Sequence, residues 1–127
     1  MEHYDIVQID DDPAIRNLTR RIVEGRGLTH FGVGSLQALE EALGSASAAI
    51  FVVDGEFPEV DNGRPAFLAP RAIDLIRSAY GEGVKIVLYS GAGGKAQEAA
   101  EQKGVHYLYK GGDLFKDMDP IIEFMNR

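Results

Sequence analysis

The run Ala48-Ala49-Ile50-Phe51-Val52-Val53-Asp54 gives the rest of the chain its frame. Six apolar residues lead straight into a carboxylate, and Gly55 follows at once. A short apolar run with β-branched residues predicts a strand covered on both faces, as in the middle of a parallel sheet. Charge is costly inside such a layer, so Asp54 is expected where the strand ends and the sheet meets water. In open α/β sheets that carboxyl edge is where ligands gather. Three more strand-like runs end in polar groups. Ile6-Val7-Gln8-Ile9 leads into Asp10-Asp11-Asp12, Ile86-Val87-Leu88-Tyr89 into Ser90, and His106-Tyr107-Leu108-Tyr109 into Lys110. Parallel strands would bring all four ends to one crevice.

The flanking segments carry helix signals. Asp12-Pro13 reads as N-cap and first helical residue, with Ile15, Leu18, Ile22 and Val23 as the buried stripe of a helix reaching 24. Gly25 and Gly27 stop it. Residues 28–33 predict a weaker second strand. Ser35 then caps a helix marked by Leu36, Leu39, Ala42 and Leu43, ending at Gly44. Turn signals at Phe57-Pro58 and Asn62-Gly63-Arg64-Pro65 precede a helix from about Pro70, with Ala72, Ile73, Ile76 and Ala79 toward the sheet. A fourth strand over 85–89 leads through Gly91, Gly93 and Gly94 to a helix over 95–103. Its apolar face is mainly alanine, so it should be held weakly. A fifth strand over 105–109 and a last helix with Leu114, Met118, Ile121, Ile122 and Met125 complete the pattern. Five strands alternating with five helices predict an α/β fold with a doubly wound parallel sheet, flavodoxin-like (βα)5, in the strand order 2-1-3-4-5.

Composition narrows the function. The chain has 127 residues, 45% of them hydrophobic, which suits one domain over 1–127 with one packed core and no output domain. It has no cysteine, which excludes thiol chemistry and Cys-based metal sites. The net charge is −7 without a basic block, so nucleic-acid binding is not expected. No apolar run approaches the ~20 residues that span a bilayer, and Met1-Glu2-His3-Tyr4-Asp5 is too polar for a secretion signal. No membrane association and a cytoplasmic location follow as expectations.

The ordered set of acidic cluster, strand-end Asp54, strand-end Ser90 and strand-end Lys110 resembles the receiver domain of two-component response regulators, the CheY-like superfamily. The resemblance covers essentially the whole chain. Asp10-Asp11, in the setting Ile-Asp-Asp-Asp-Pro, resembles the family's acidic pair. Asp54 resembles the phosphoacceptor, Ser90-Gly91 the hydroxyl residue and its small neighbour, and Tyr107 the aromatic switch residue three before Lys110.

That resemblance implies a phosphorylatable signalling protein that catalyses its own phosphoryl transfer and dephosphorylation. Asp54 would accept a phosphoryl group from a histidine kinase or phosphotransfer protein. A carboxylate can attack phosphorus to give an acyl phosphate, but alone it repels the incoming anion. A divalent cation held by Asp11, Asp10 and Asp54, with the backbone carbonyl of Glu56, would cancel that repulsion. Oxygen ligands alone favour Mg2+ or Mn2+ over Zn2+. Lys110 and the Ser90 hydroxyl would hold two further phosphoryl oxygens. Movement of Ser90 and Tyr107 would then change the face formed by the fourth helix, fifth strand and fifth helix, where a downstream protein target binds.

The sequence departs from the family at several points. Gly111-Gly112 follows the lysine where proline is usual, which predicts a more mobile loop. The part between Asp54 and Ser90 is longer than usual, with the extra length near residues 60–70. Glu56 and Ala92 stand at positions associated with phosphoryl lifetime, and Gln8 intrudes on the first strand without a functional account. Two other readings compete. One is a non-phosphorylated pseudo-receiver acting as an interaction module. The other is a haloacid-dehalogenase-like phosphatase with Asp10 as nucleophile, suggested by Asp10-x-Asp12, Ser90 and Lys110.

Overall fold

The computed structural model describes residues 1–91 and 93–127 and gives the order β1 (Glu2–Ile9), α1 (Pro13–Gly25), β2 (His30–Val33), α2 (Leu36–Leu43), β3 (Ala46–Val53), β4 (Glu56–Phe57), β5 (Ala66–Phe67), α3 (Ala69–Tyr80), β6 (Ile86–Ser90), α4 (Gly94–Lys103), β7 (His106–Tyr109) and α5 (Leu114–Met125). Five strands form one parallel sheet in the order β2-β1-β3-β6-β7, with β3 at the centre. Counting sheet strands alone, this is the predicted 2-1-3-4-5 order of a flavodoxin-like fold.

Alternation along each strand sorts side chains to two faces. Val7, Ile9, Phe51, Val53, Ile86 and Leu88 pack with residues of α2, α3 and α4. Ile6, Ile50, Val52, Val87 and Tyr89 pack with Ile22 and Val23 of α1 and with Leu114, Met118 and Ile121 of α5. Both faces are thus covered, which explains the unbroken apolar character of residues 48–53.

Helix ends follow the predicted chemistry. The Asp12 carboxylate accepts from Ala14 N–H at 2.9 Å, and Ser35 Oγ accepts from Ala38 N–H at 3.1 Å. Gly104 closes α4 in the left-handed region, at φ 67°.

Several expectations need correction. Leu18 does not belong to the buried stripe of α1: it is 45% exposed, while Thr19 is fully buried. The reason is Gln8, whose amide donates to Thr19 Oγ1 at 3.1 Å and whose Oε1 accepts from His30 Nε2 at 2.8 Å. Thr19 Oγ1 in turn donates to the Ile15 carbonyl at 2.7 Å. The polar residue inside β1 therefore ties α1 and β2 to the sheet, and α1 turns its threonine inward to meet it. Burial, with the Arg20 charge adding to it, pulls the His30 pKa down to about 4, so its ring is neutral. Ala79 is likewise exposed, not sheet-facing. Strand β1 begins at Glu2, well ahead of the apolar run that starts at Ile6, because Glu2, His3 and Tyr4 pair with Ala46, Ser47 and Ala48 of β3. The long segment after Asp54 contains an antiparallel pair, β4 with β5, that the sequence did not suggest. The turn of that pair docks on α2: the Pro58 and Glu59 carbonyls accept from Leu36 N–H at 3.0 Å and Gln37 N–H at 2.8 Å. Among the described residues no helix is long and apolar enough to cross a membrane.

Candidate functional site

The sheet ladder continues past the last apolar residue of the central strands and fixes the backbone of the polar ones. Asp10 N–H donates to the Val33 carbonyl and Asp54 N–H to the Ile9 carbonyl, both at 3.0 Å. Lys110 N–H donates to the Ser90 carbonyl at 3.1 Å. Four chemistry-bearing residues thus stand on adjacent strand ends, as expected for parallel strands.

Three of their side chains meet. Lys110 Nζ lies 2.9 Å from Asp10 Oδ2 and 3.4 Å from Asp54 Oδ2. Carboxylate oxygens of Asp10, Asp11 and Asp54 all fall within 4.8 Å of one another, a spacing at which one cation can touch all three. Asp10 is buried, Asp54 half-buried and Asp11 exposed, so solvent reaches the cluster chiefly at Asp11. Asp10 Oδ1 accepts from Asp12 N–H at 2.9 Å, and Asp54 Oδ1 from Gly55 N–H at 2.7 Å. Asp11, but neither Asp10 nor Asp54, also lines a cleft of about 560 Å³ together with Arg16, Pro58 and Asn62.

The electrostatics of the cluster are unbalanced. Burial is the main cause that lifts the Asp54 pKa to about 6; Asp10 adds to the lift, while Lys110 and the Gly55 N–H oppose it. Burial works against the charge on Lys110, but Asp10 and Asp54 outweigh it and raise its pKa. Three carboxylates facing one ammonium leave the cluster short of positive charge. A hard divalent cation fits that donor set.

Ser90, the last residue of β6, is buried with its hydroxyl against Gly55. A Cβ on Gly55 would overlap Ser90 Oγ and stand 3.4 Å from the Phe67 ring of β5. Glycine at 55 is thus required by close approach. Tyr107, half-buried on β7, donates its hydroxyl to the Ser90 carbonyl at 3.3 Å. Glu56 opens β4 opposite Phe67, with its side chain exposed. Ala92 lies outside the described residues.

Two contributors were not foreseen. Arg16 Nη1 donates to the Asp10 carbonyl at 2.6 Å and so holds the loop after β1. Its place one turn after Asp12 on α1 was the available signal. Tyr89 puts its ring under the Lys110 ammonium, 5.2 Å from the ring centre. A tyrosine in an otherwise aliphatic strand was its only mark in the sequence.

No family model matches the chain, and no curated protein matches it either. Solved structures do match. A CheY-like response regulator receiver domain protein from Methanospirillum hungatei JF-1 is similar with a TM-score of 0.79 at 16% identity, over 99% of this chain and 94% of that one. The chemotaxis response regulator CheY4 of Vibrio cholerae gives 0.76 at 12% identity, over 98% of each chain. The beryllofluoride-activated NtrC4 receiver domain dimer gives 0.75 at 19% identity, over 99% and 98%. The chain therefore has the fold of CheY-like receiver domains. At these identities the likeness is one of architecture, and the chemistry rests on the residues described above.

Proposed function

We propose that this chain is a phosphorylatable receiver in two-component or phosphorelay signalling, with Asp54 as phosphoacceptor. The observation that carries the reading is the junction of Lys110 with Asp10 and Asp54 beside Asp11. In the proposed step an Asp54 oxygen bonds to phosphorus while the P–N bond to the donor histidine breaks, and the leaving imidazole takes up a proton. Asp10, Asp11 and Asp54, with the Glu56 carbonyl, would hold Mg2+ or Mn2+, which supplies the positive charge that the transferring phosphoryl group requires. Lys110 neutralises one phosphoryl oxygen, and the Ser90 hydroxyl donates to another. Ser90 and Tyr107, already joined through the Ser90 carbonyl, then move together and change the face made by α4, β7 and α5, where a protein target binds. A histidine kinase or phosphotransfer protein is the donor, and the setting is cytoplasmic.

The geometry speaks against Asp10 as nucleophile. Its side chain is 4% exposed, and each of its oxygens already accepts a hydrogen bond. Asp54 Oδ2 is less tightly held, 3.4 Å from Lys110.

Intact mass after incubation with Mg2+ and acetyl phosphate tests the proposal. The expected result is one phosphoryl adduct that needs Mg2+ and is absent from Asp54→Asn. No adduct and no Mg2+ binding would favour the pseudo-receiver module, and an adduct that survives Asp54→Asn would return Asp10 to consideration. Beryllofluoride offers a second test, since it activates the NtrC4 receiver. Unchanged nuclear magnetic resonance shifts around Tyr107 on its addition would overturn the switch.

A further inference from the structure

Strand alternation sends consecutive residues at the end of β6 in opposite directions. Ser90 lies against Gly55 on the α3–α4 side, whereas Tyr89 joins the core shared with α1 and α5. Tyr89 is 2% exposed, and its hydroxyl donates to Asp117 Oδ2, in the first turn of α5, at 2.5 Å. That bond fixes the ring, and donation to a carboxylate enriches the ring's electron density. The Lys110 ammonium sits over this ring, 5.2 Å from its centre, and lies 2.9 Å from Asp10 Oδ2 and 3.4 Å from Asp54 Oδ2. The Lys110 backbone is held by its N–H bond to the Ser90 carbonyl, but the chain beyond it is glycine. Gly111-Gly112 follows, and Gly112 has φ +100°, a conformation that favours glycine.

We infer that Tyr89, anchored by Asp117, is the positioning residue for Lys110, holding its ammonium between the two carboxylates in place of a stiff loop. The inference rests on the receiver reading for its kinetic consequence but not for its geometry. It also gives α5 a contact with the site separate from the Ser90–Tyr107 pair. When a phosphoryl group on Asp54 draws Lys110 away, the ring loses its cation while its hydroxyl bond to Asp117 in the first turn of α5 remains.

The test compares the wild type with Tyr89→Leu, which removes the ring, Tyr89→Phe, which keeps the ring without the hydroxyl, and Asp117→Ala, which frees the hydroxyl. Two quantities are read: the ring-current shift of the Lys110 ε-methylene protons, and the rate of phosphorylation by acetyl phosphate beside a separate Mg2+ titration. In the wild type these protons should lie upfield of free lysine. Tyr89→Leu should abolish that shift and slow phosphorylation about three- to tenfold, the scale of a cation–π contact, with Mg2+ affinity unchanged. Tyr89→Phe and Asp117→Ala, which both break the hydroxyl–carboxylate bond but keep a ring, should each reduce the shift without abolishing it. A wild-type lysine without the upfield shift overturns the inference. So does a rate loss in Tyr89→Leu that tracks lost Mg2+ affinity, because the substitution would then act through the carboxylates. If Tyr89→Leu fails to fold, Asp117→Ala decides: an unchanged Lys110 shift counts against the inference. If the wild type takes up no phosphoryl group, the receiver reading fails, and the Lys110 shift alone decides the positioning role.

Discussion

Asp54 has to be ionised to act as a nucleophile or a ligand, yet its surroundings favour the neutral acid. Its folded pKa of about 6 stands above the ordinary 3.8, so the folded state binds the proton more readily than the unfolded chain. Its contribution to stability is therefore most favourable below about pH 3.8 and is lost as pH rises through about 6. At neutral pH the ionised group costs about 3 kcal/mol at most. Asp54→Asn should raise stability at pH 7.5 without divalent cations by about 1–3 kcal/mol, measured by urea unfolding, with a smaller gain at pH 4.5. Mg2+ affinity should fall as pH drops through about 6, because protons compete for Asp54. A second residue-scale prediction concerns Gly55. Gly55→Ala should cost about 1–3 kcal/mol by forcing Ser90 aside, and adding Ser90→Ala should recover part of the loss, a coupling visible in a double-mutant cycle. Asp10, Asp54, Ser90 and Lys110 were readable in the sequence because each ends a strand-like run. Tyr89 was not, since its contact with Lys110 joins strands whose proximity only the folded sheet creates, and Arg16, one turn after Asp12, was passed over as an ordinary helix-surface cation.

At the scale of elements, the helices are unequally held. Helix α4 buries Ala96, Ala99 and Ala100, whereas α3 buries Ile73 and Ile76 as well as alanines. Alanine removes little apolar area from water, so α4 gains least from packing. Native-state hydrogen exchange should find α4 amides opening at lower free energy than those of α3. The expected softness next to the proposed switch thus has a source in side-chain size. The alanine face of α4 was plain in the sequence, as were the caps at Asp12 and Ser35. The β4–β5 pair was not, because two-residue strands leave no periodicity to read. Nor was the early start of β1, where Glu2, His3 and Tyr4 owe their strand to pairing with β3. Leu18 was misjudged for a related reason: apolar spacing cannot register that a buried glutamine needs the neighbouring threonine as its partner.

Across the whole molecule, two buried groups bias stability in opposite senses over nearly the same acidic range. His30 has its pKa depressed to about 4 from an ordinary 6.5, so the unfolded chain binds its proton first. Its contribution is fully present above about 6.5 and fades as pH falls through about 4. The Asp54 contribution runs the other way, growing as pH falls from about 6 to 3.8. The two contributions therefore have opposite slopes between about pH 4 and 6 and offset one another. Single substitutions should unmask each slope. Asp54→Asn should lose stability on acidification, while His30→Gln, which keeps a donor for Gln8, should gain it; a shared slope in both would refute the offset. The burial that keeps His30 neutral inside the sheet acts as a counterweight: a molecule whose strand-end carboxylate is kept energetically uncomfortable has part of its response to acid offset at another point of the core.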